Sequence, residues 1–100
     1  MDDINSIPVE LAGFRRLDRS VIDEVRRNIE KHLGRLSRLS SKLENLHLTL
    51  KTLHEREKSE IYDIKARMRD NGKIFVSHAM SRNLLAAVDD ALEKLASELE

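Results

Sequence analysis

A chain of 100 residues with no cysteine and three aromatic residues supports one mainly aliphatic core, and it excludes both a disulfide framework and a thiolate metal site. No apolar run reaches membrane-spanning length and the start "MDDINS" is unlike a signal peptide, so a soluble cytoplasmic protein is expected. The 18 bases and 18 acids cancel to zero, a balance that by itself neither argues for a nucleic-acid partner nor excludes one.

Residues 6–14, "SIPVELAGF", read as a first strand, with Pro8 tolerable near an edge and Gly13 ending or bending it. A helix then begins near Asp18, a good N-cap, with Leu17 and Ile22 spaced for a hydrophobic staple. Ile22, Val25, Ile29, Leu33 and Leu36 recur in steps of three and four, which places them on one apolar stripe. Gly34 weakens that helix locally, and the pair Ser40–Ser41 falls beyond its end.

In "NLHLTLKTL" (45–53) Leu46, Leu48 and Leu50 alternate with His47, Thr49 and Lys51, the period of a half-buried strand. The polar stretch "HEREKSE" (54–60) predicts a turn. "IYDIKARMR" (61–69) alternates again, with Tyr62, Ile64, Ala66 and Met68 on one face and Asp63, Lys65, Arg67 and Arg69 on the other. Asn71–Gly72 is a strong hairpin signal, because a type I′ turn needs positive φ at both central residues. "IFVSHA" (74–79) is the returning strand; either Phe75, Ser77 and Ala79 or Ile74 and Val76 face inward. In the closing "SRNLLAAVDDALEKLASELE" (81–100), Ser81 is placed as an N-cap, and Leu85, Val88, Leu92, Leu95 and Leu99 line one helix face. Ala86 and Ala87 beside that stripe let the helix approach its support closely.

The order β-α-β-β-β-α predicts an α+β fold. Three successive strands make a meander, and two amphipathic helices need one apolar surface. The simplest solution is a two-layer sandwich, a four-stranded sheet with both helices on one face, as a single domain over residues 1–100.

Charge is unevenly placed along that order. Residues 18–42 carry seven bases against four acids, whereas residues 81–100 carry two against five. Arg27, Lys31, Arg35 and Arg38 lie on one side of the first helix, away from its stripe. Such a row suits phosphate neutralisation, and it equally suits a solvated face with ordinary neighbours at i,i+4. Lys65, Arg67 and Arg69, joined by Lys51 and His47, form either a second contact surface or the wet face of a one-sided sheet. His32, His47, His54 and His78 show no metal-ligand spacing, and Asp89, Asp90 and Glu93 read as ordinary helix-rim acids. No phosphate loop, nucleophile elbow or triad pattern is present; no cofactor and no small-molecule substrate are implied, and an enzyme is not expected.

Ser81, Leu84, Leu85, Ala86, Ala87, Val88, Asp89, Lys94 and Leu95, set after an Asn-Gly hairpin and a short strand, resemble the C-terminal half of the ribosome hibernation-promoting factor family. "NIEKHLGRLSRLSSKLENLHLTLK" (28–51) is similar to that family's first helix and second strand, and the resemblance covers roughly residues 20–95. It implies the same β-α-β-β-β-α fold and the short form of the family. It further implies a ribosome-associated translation inhibitor, bound by electrostatic contacts to small-subunit rRNA in the mRNA and tRNA channel. Lys31, Arg35 and Arg38 fall on positions commonly basic in the family, and Lys94 of the matched pattern joins the implied RNA contacts. The departure is the end of the last helix, "ASELE", where the family usually has a lysine- and arginine-rich tail. That acidity keeps an alternative open: a homodimeric protein-interaction module of the same fold, without strong RNA binding, paired through a sheet edge or the Ile74–Val76 face.

Overall fold

The computed structural model describes residues 7–56 and 59–100, so "MDDINS", the first residue of the expected opening strand, and Glu57 and Lys58 of the expected turn lie outside the described residues. The elements are β1 (Val9–Ala12), α1 (Arg19–Leu39), β2 (Leu43–Arg56), β3 (Ser59–Asp70), β4 (Lys73–Ser81) and α2 (Leu84–Leu99). They form one four-stranded sheet in the order β1-β2-β3-β4. β1 runs parallel to β2, and the other two pairings are antiparallel.

The alternation read in the strands sets the two faces. Leu46, Leu48 and Leu50 of β2, Ile64, Ala66 and Met68 of β3, and Ser77 and Ala79 of β4 are buried, with Phe75 packed at the margin. Both helices cover this face: Val25, Ile29, Leu33 and Leu36 of α1 and Val88, Leu92 and Leu95 of α2 join the same core. The opposite face is open. It carries Ile74 and Val76, so the strand presents Phe75, Ser77 and Ala79 inward.

α2 lies closest to the sheet. Ala87, Ala91 and Ala96 are buried on it, and the sheet beneath carries the small buried residues Ala66, Ser77 and Ala79. The Ser77 hydroxyl donates to the Ala91 carbonyl at 2.6 Å, so only a side-chain oxygen separates strand from helix backbone. α1 stands off the sheet behind larger side chains and approaches α2 instead.

Several boundaries differ from expectation, each for a local reason. The opening strand is shorter because Gly13, at φ +85°, turns the chain where an added Cβ would lie 2.2 Å from the Leu50 carbonyl oxygen. Phe14 then drops into the core. Of the stretch expected as a turn, residues 54–56 and 59–60 are strand: β2 and β3 continue their pairing to His54–Glu60 and Arg56–Ser59, past a register shift. β2, with 14 residues at about 3.4 Å each, is the longest strand of the sheet. The N-cap of α2 is Asn83, whose side chain accepts from the Ala86 amide at 3.0 Å; Ser81 instead accepts from the Asn83 amide. In α2 Leu84 and Ala87 are buried, while Leu85 is only half-buried and Ala86 is exposed. Asp18 does precede α1, though its side chain makes no capping bond.

The hairpin turn has φ +49° at Asn71 and +83° at Gly72, as the type I′ signal requires. It is tied to the end of α1 by the buried Asp70 carboxylate, which accepts from the Lys42 amide at 2.6 Å and the Ser41 amide at 3.2 Å.

Gly13→Ala combines backbone strain with a collision that only main-chain movement relieves, so it is expected to cost about 1–3 kcal/mol or more in urea unfolding. Leu92→Ala opens a hole in the fully buried contact of α2 with the sheet, and thermal and urea unfolding are expected to show a loss of about 2–5 kcal/mol.

Candidate functional site

The basic row of α1 is real but divided. Arg27, Lys31 and Arg38 are exposed on the side of α1 facing away from the core, and they make no ion pair among the described residues. Arg35 sits nearer to α2 and is engaged by it: its guanidinium donates to Glu93 at 2.9 Å and to Glu100 at 3.0 Å. Those bonds, Glu100 first and Glu93 next, hold the Arg35 pKa above its ordinary value.

Arg35 is one end of a polar seam between the helices. Asn28 donates to Asp89 at 3.1 Å, and His32 Nε2 lies 3.1 Å from the same carboxylate oxygen, with Nδ1 3.9 Å from Glu93. Partners on both helices rise in number together, from Asn28 with Asp89 to Arg35 with Glu100, so α1 and α2 run in the same direction. The sequence reads Asp89 and Glu93 only as ordinary helix-rim acids. Their role follows from the spacing of Asn28, His32 and Arg35, which puts all three on one flank of α1.

The open sheet face gathers the second group. Lys65, Arg67 and Arg69 are exposed along β3, and none has an acid opposite it in register. Their partners are Thr49, His47 and Asn45 on β2, and His78, Val76 and Ile74 on β4. Lys51 is exposed on the same face but stands opposite Asp63, which is also paired to His78 from β4. Lys94 belongs to neither group. Its ammonium reaches round the sheet edge and donates to the His78 carbonyl at 2.8 Å. At the far end of the hairpin, the Tyr62 hydroxyl donates to Glu60 at 3.1 Å, a bond that raises the Tyr62 pKa above its usual value.

The nine sequence-derived cations therefore occupy three places. Arg27, Lys31 and Arg38, with Arg35 on their margin, lie on α1; Lys51, Lys65, Arg67 and Arg69 lie on the opposite, open side; Lys94 lies at the edge between them. Among the described residues no group of three or more His, Asp or Glu is placed to hold a metal ion. No helix there is long and apolar enough to cross a membrane.

A family model described as sigma 54 modulation protein / S30EA ribosomal protein matches residues 17–100. The chain belongs to this family. Its members are ribosome-associated hibernation and subunit-interface factors, which bears out the resemblance carried by residues 20–95. The fold is similar to that of the Protein Y N-terminal domain of Thermus thermophilus, with a TM-score of 0.64, 21% identity and 93% of each chain covered. It is also similar to a ribosomal subunit interface protein from Coxiella burnetii, with a TM-score of 0.58, 18% identity, and 93% of this chain and 91% of that chain covered. A search of curated proteins found no match. At these identities the two structures establish the shared fold.

Since Glu93 and Glu100 hold Arg35, Glu93→Gln/Glu100→Gln releases a guanidinium beside Lys31 and Arg38. Elution of the full chain from a heparin column is expected to move to higher salt. A control with the same charge change elsewhere, Glu24→Gln/Glu98→Gln, is expected to move it less.

Proposed function

We propose that this member of the family is a translation inhibitor of the hibernation type, which binds small-subunit rRNA and fills the mRNA and tRNA path. It acts by occupancy and not by catalysis, in the cytoplasm, with the small ribosomal subunit as its partner. The observation that supports this most directly is the row of exposed cations on α1. Arg27, Lys31 and Arg38 project from a rigid helix with no carboxylate of the described residues bound to them, the arrangement that phosphate contact needs. Arg35 contributes less on this reading than its position in the row suggests, because an RNA phosphate has to compete with Glu93 and Glu100.

The homodimeric module draws support from Ile74, Val76 and Met80, all exposed on the open face of the edge strand β4. Against strand-to-strand pairing stands Lys94, whose ammonium already occupies the outward carbonyl of His78. The electrostatic reading is therefore preferred.

Sucrose-gradient sedimentation of purified small subunits with the full chain tests it. The parent is expected to travel with the subunits and to dissociate as salt rises. Arg27→Gln/Lys31→Gln/Arg38→Gln is expected to weaken co-sedimentation at least tenfold and to flatten the salt dependence by roughly one slope unit per lost phosphate contact. Unchanged binding and an unchanged slope would overturn the assignment of α1 as the rRNA contact.

A further inference from the structure

The open sheet face carries two adjoining columns of unlike chemistry. Along β3 run Lys65, Arg67 and Arg69, every second residue of a regular strand and so about 6.6 Å apart in projection. That interval is close to one step between phosphates of an extended nucleic-acid strand. Along β4, about 4.8 Å to the side, run Ile74 and Val76, directly opposite Arg69 and Arg67. They are large apolar side chains left 42% and 54% exposed, where the other helix-free positions of the sheet are mostly polar. A groove of about 230 Å³ opens at the same end of the face, lined by Glu10, Asn45, His47, Arg67, Arg69 and Ile74.

From this pairing we infer that the open sheet face is a track for a short single-stranded RNA segment, with phosphates on β3 and base faces on β4. The inference rests on the reading that this chain binds RNA, and it adds a second contact of a different kind, remote from the α1 row. Charge complementarity chooses the occupant. Three cations without an opposing acid call for a polyanion, and their linear spacing fits one strand better than the two backbones of a duplex. A duplex keeps its base faces stacked inside and has nothing apolar to set on Ile74 and Val76; a single strand does. The groove agrees. With Glu10 in its wall it repels a phosphate seated at its floor, whereas the Glu10 carboxylate and the Asn45 amide offer an acceptor and a donor to a base edge or a ribose 2′-hydroxyl. Asp63, paired to His78, ends the track in the other direction, so it spans three phosphates. Phe75 and Tyr62 point to the inner face and offer no stacking platform here, so binding is sequence-tolerant and dominated by the backbone.

The test uses the full chain, fluorescein-labelled hexauridylate and a 12-base-pair RNA duplex, followed by anisotropy over a salt series. The parent is expected to bind the hexamer more tightly than the duplex, with a slope of log affinity against log salt of about −2, from about 0.7 for each of three phosphates. Lys65→Gln/Arg67→Gln/Arg69→Gln is expected to lose at least tenfold in affinity and most of the slope. Ile74→Ser/Val76→Ser is expected to lose several-fold with the slope unchanged, which separates base packing from charge. Arg27→Gln/Lys31→Gln/Arg38→Gln is expected to lose clearly less affinity for the hexamer than the β3 variant and to keep the preference for the hexamer over the duplex. All these positions are exposed, and circular dichroism confirms that each variant folds. Unchanged affinity in the β3 variant, equal losses in the β3 and α1 variants, or tighter binding of the duplex each overturns the track. So does a parent dimer, seen by sedimentation equilibrium, that Ile74→Ser/Val76→Ser dissociates, since a second copy then covers the face. A parent that travels with small subunits but ignores the hexamer overturns this inference alone. One that binds the hexamer but not the subunits supports it and overturns the ribosome reading alone.

Discussion

The close seating of α2 on β3 and β4 is the constraint from which the rest of the structure follows. Helix and strand backbones approach this closely only where the side chains between them are small, and at this crossing they are: Ser77 of β4 meets Ala91 of α2. Ser77 is the one polar residue of that contact, and its hydroxyl is satisfied by the Ala91 carbonyl, so the contact holds no unpaired donor. Larger aliphatic side chains fill the rest of the core, Ile29, Leu33 and Leu36 of α1 and Leu46 and Leu48 of β2 among them. With α2 fixed low on the sheet, its polar margins have only two places to go. One margin meets α1 and becomes the seam of Asp89, Glu93 and Glu100 with Asn28, His32 and Arg35. The other puts Lys94 over the sheet edge at the His78 carbonyl.

Most of this fold is written in local patterns. Alternation in 45–53 and 61–69, the Asn71–Gly72 turn and the stripe of α1 each describe a short stretch whose geometry depends on little outside it, and the structure follows them. The departures occur where a distant group decides. Gly13 ends β1 because the Leu50 carbonyl lies in the way, a collision between residues 37 apart in the chain that no local reading contains. The stretch 54–60 looks like a turn by composition, but each strand there is held by its partner, and cross-strand pairing overrides polar propensity. At the start of α2 two residues with capping side chains compete, Ser81 and Asn83. Asn83 wins because β4 keeps its pairing with β3 as far as Ser81, opposite Tyr62. The candidate site divides along the same line. The exposure of Lys65, Arg67 and Arg69 was legible from strand parity, whereas the capture of Arg35 depends on where another helix lies.

The neutral total of the chain is therefore an accounting of two different uses of charge. Three of the five acids in residues 81–100, namely Asp89, Glu93 and Glu100, are turned toward α1 and hold the two helices together. Exposed ion pairs of this kind contribute little to stability, and their larger effect is on position and on what remains free. By drawing Arg35 into the seam they leave Arg27, Lys31 and Arg38 as the outward members of that row. The acidic end supplies, through the exposed Glu100, a partner for Arg35.

What remains outside is basic on two opposite sides: the α1 row above one layer, and the β3 column beneath the other. A protein that docks on a flat nucleic-acid surface needs only one such side, and a second would attract further RNA at random. For a factor proposed to act by filling a channel, the requirement is reversed, because the walls lie on more than one side and each is lined with phosphate. A two-layer sandwich meets that requirement economically. Its helix layer and its open sheet layer face opposite walls by construction, and the seam of opposite charges between α1 and α2 keeps the helix layer rigid while both sides are engaged. On the proposed reading, occupancy by this fold would depend on salt through two separate sets of contacts, one on each layer, so weakening either set would loosen the protein without changing its shape.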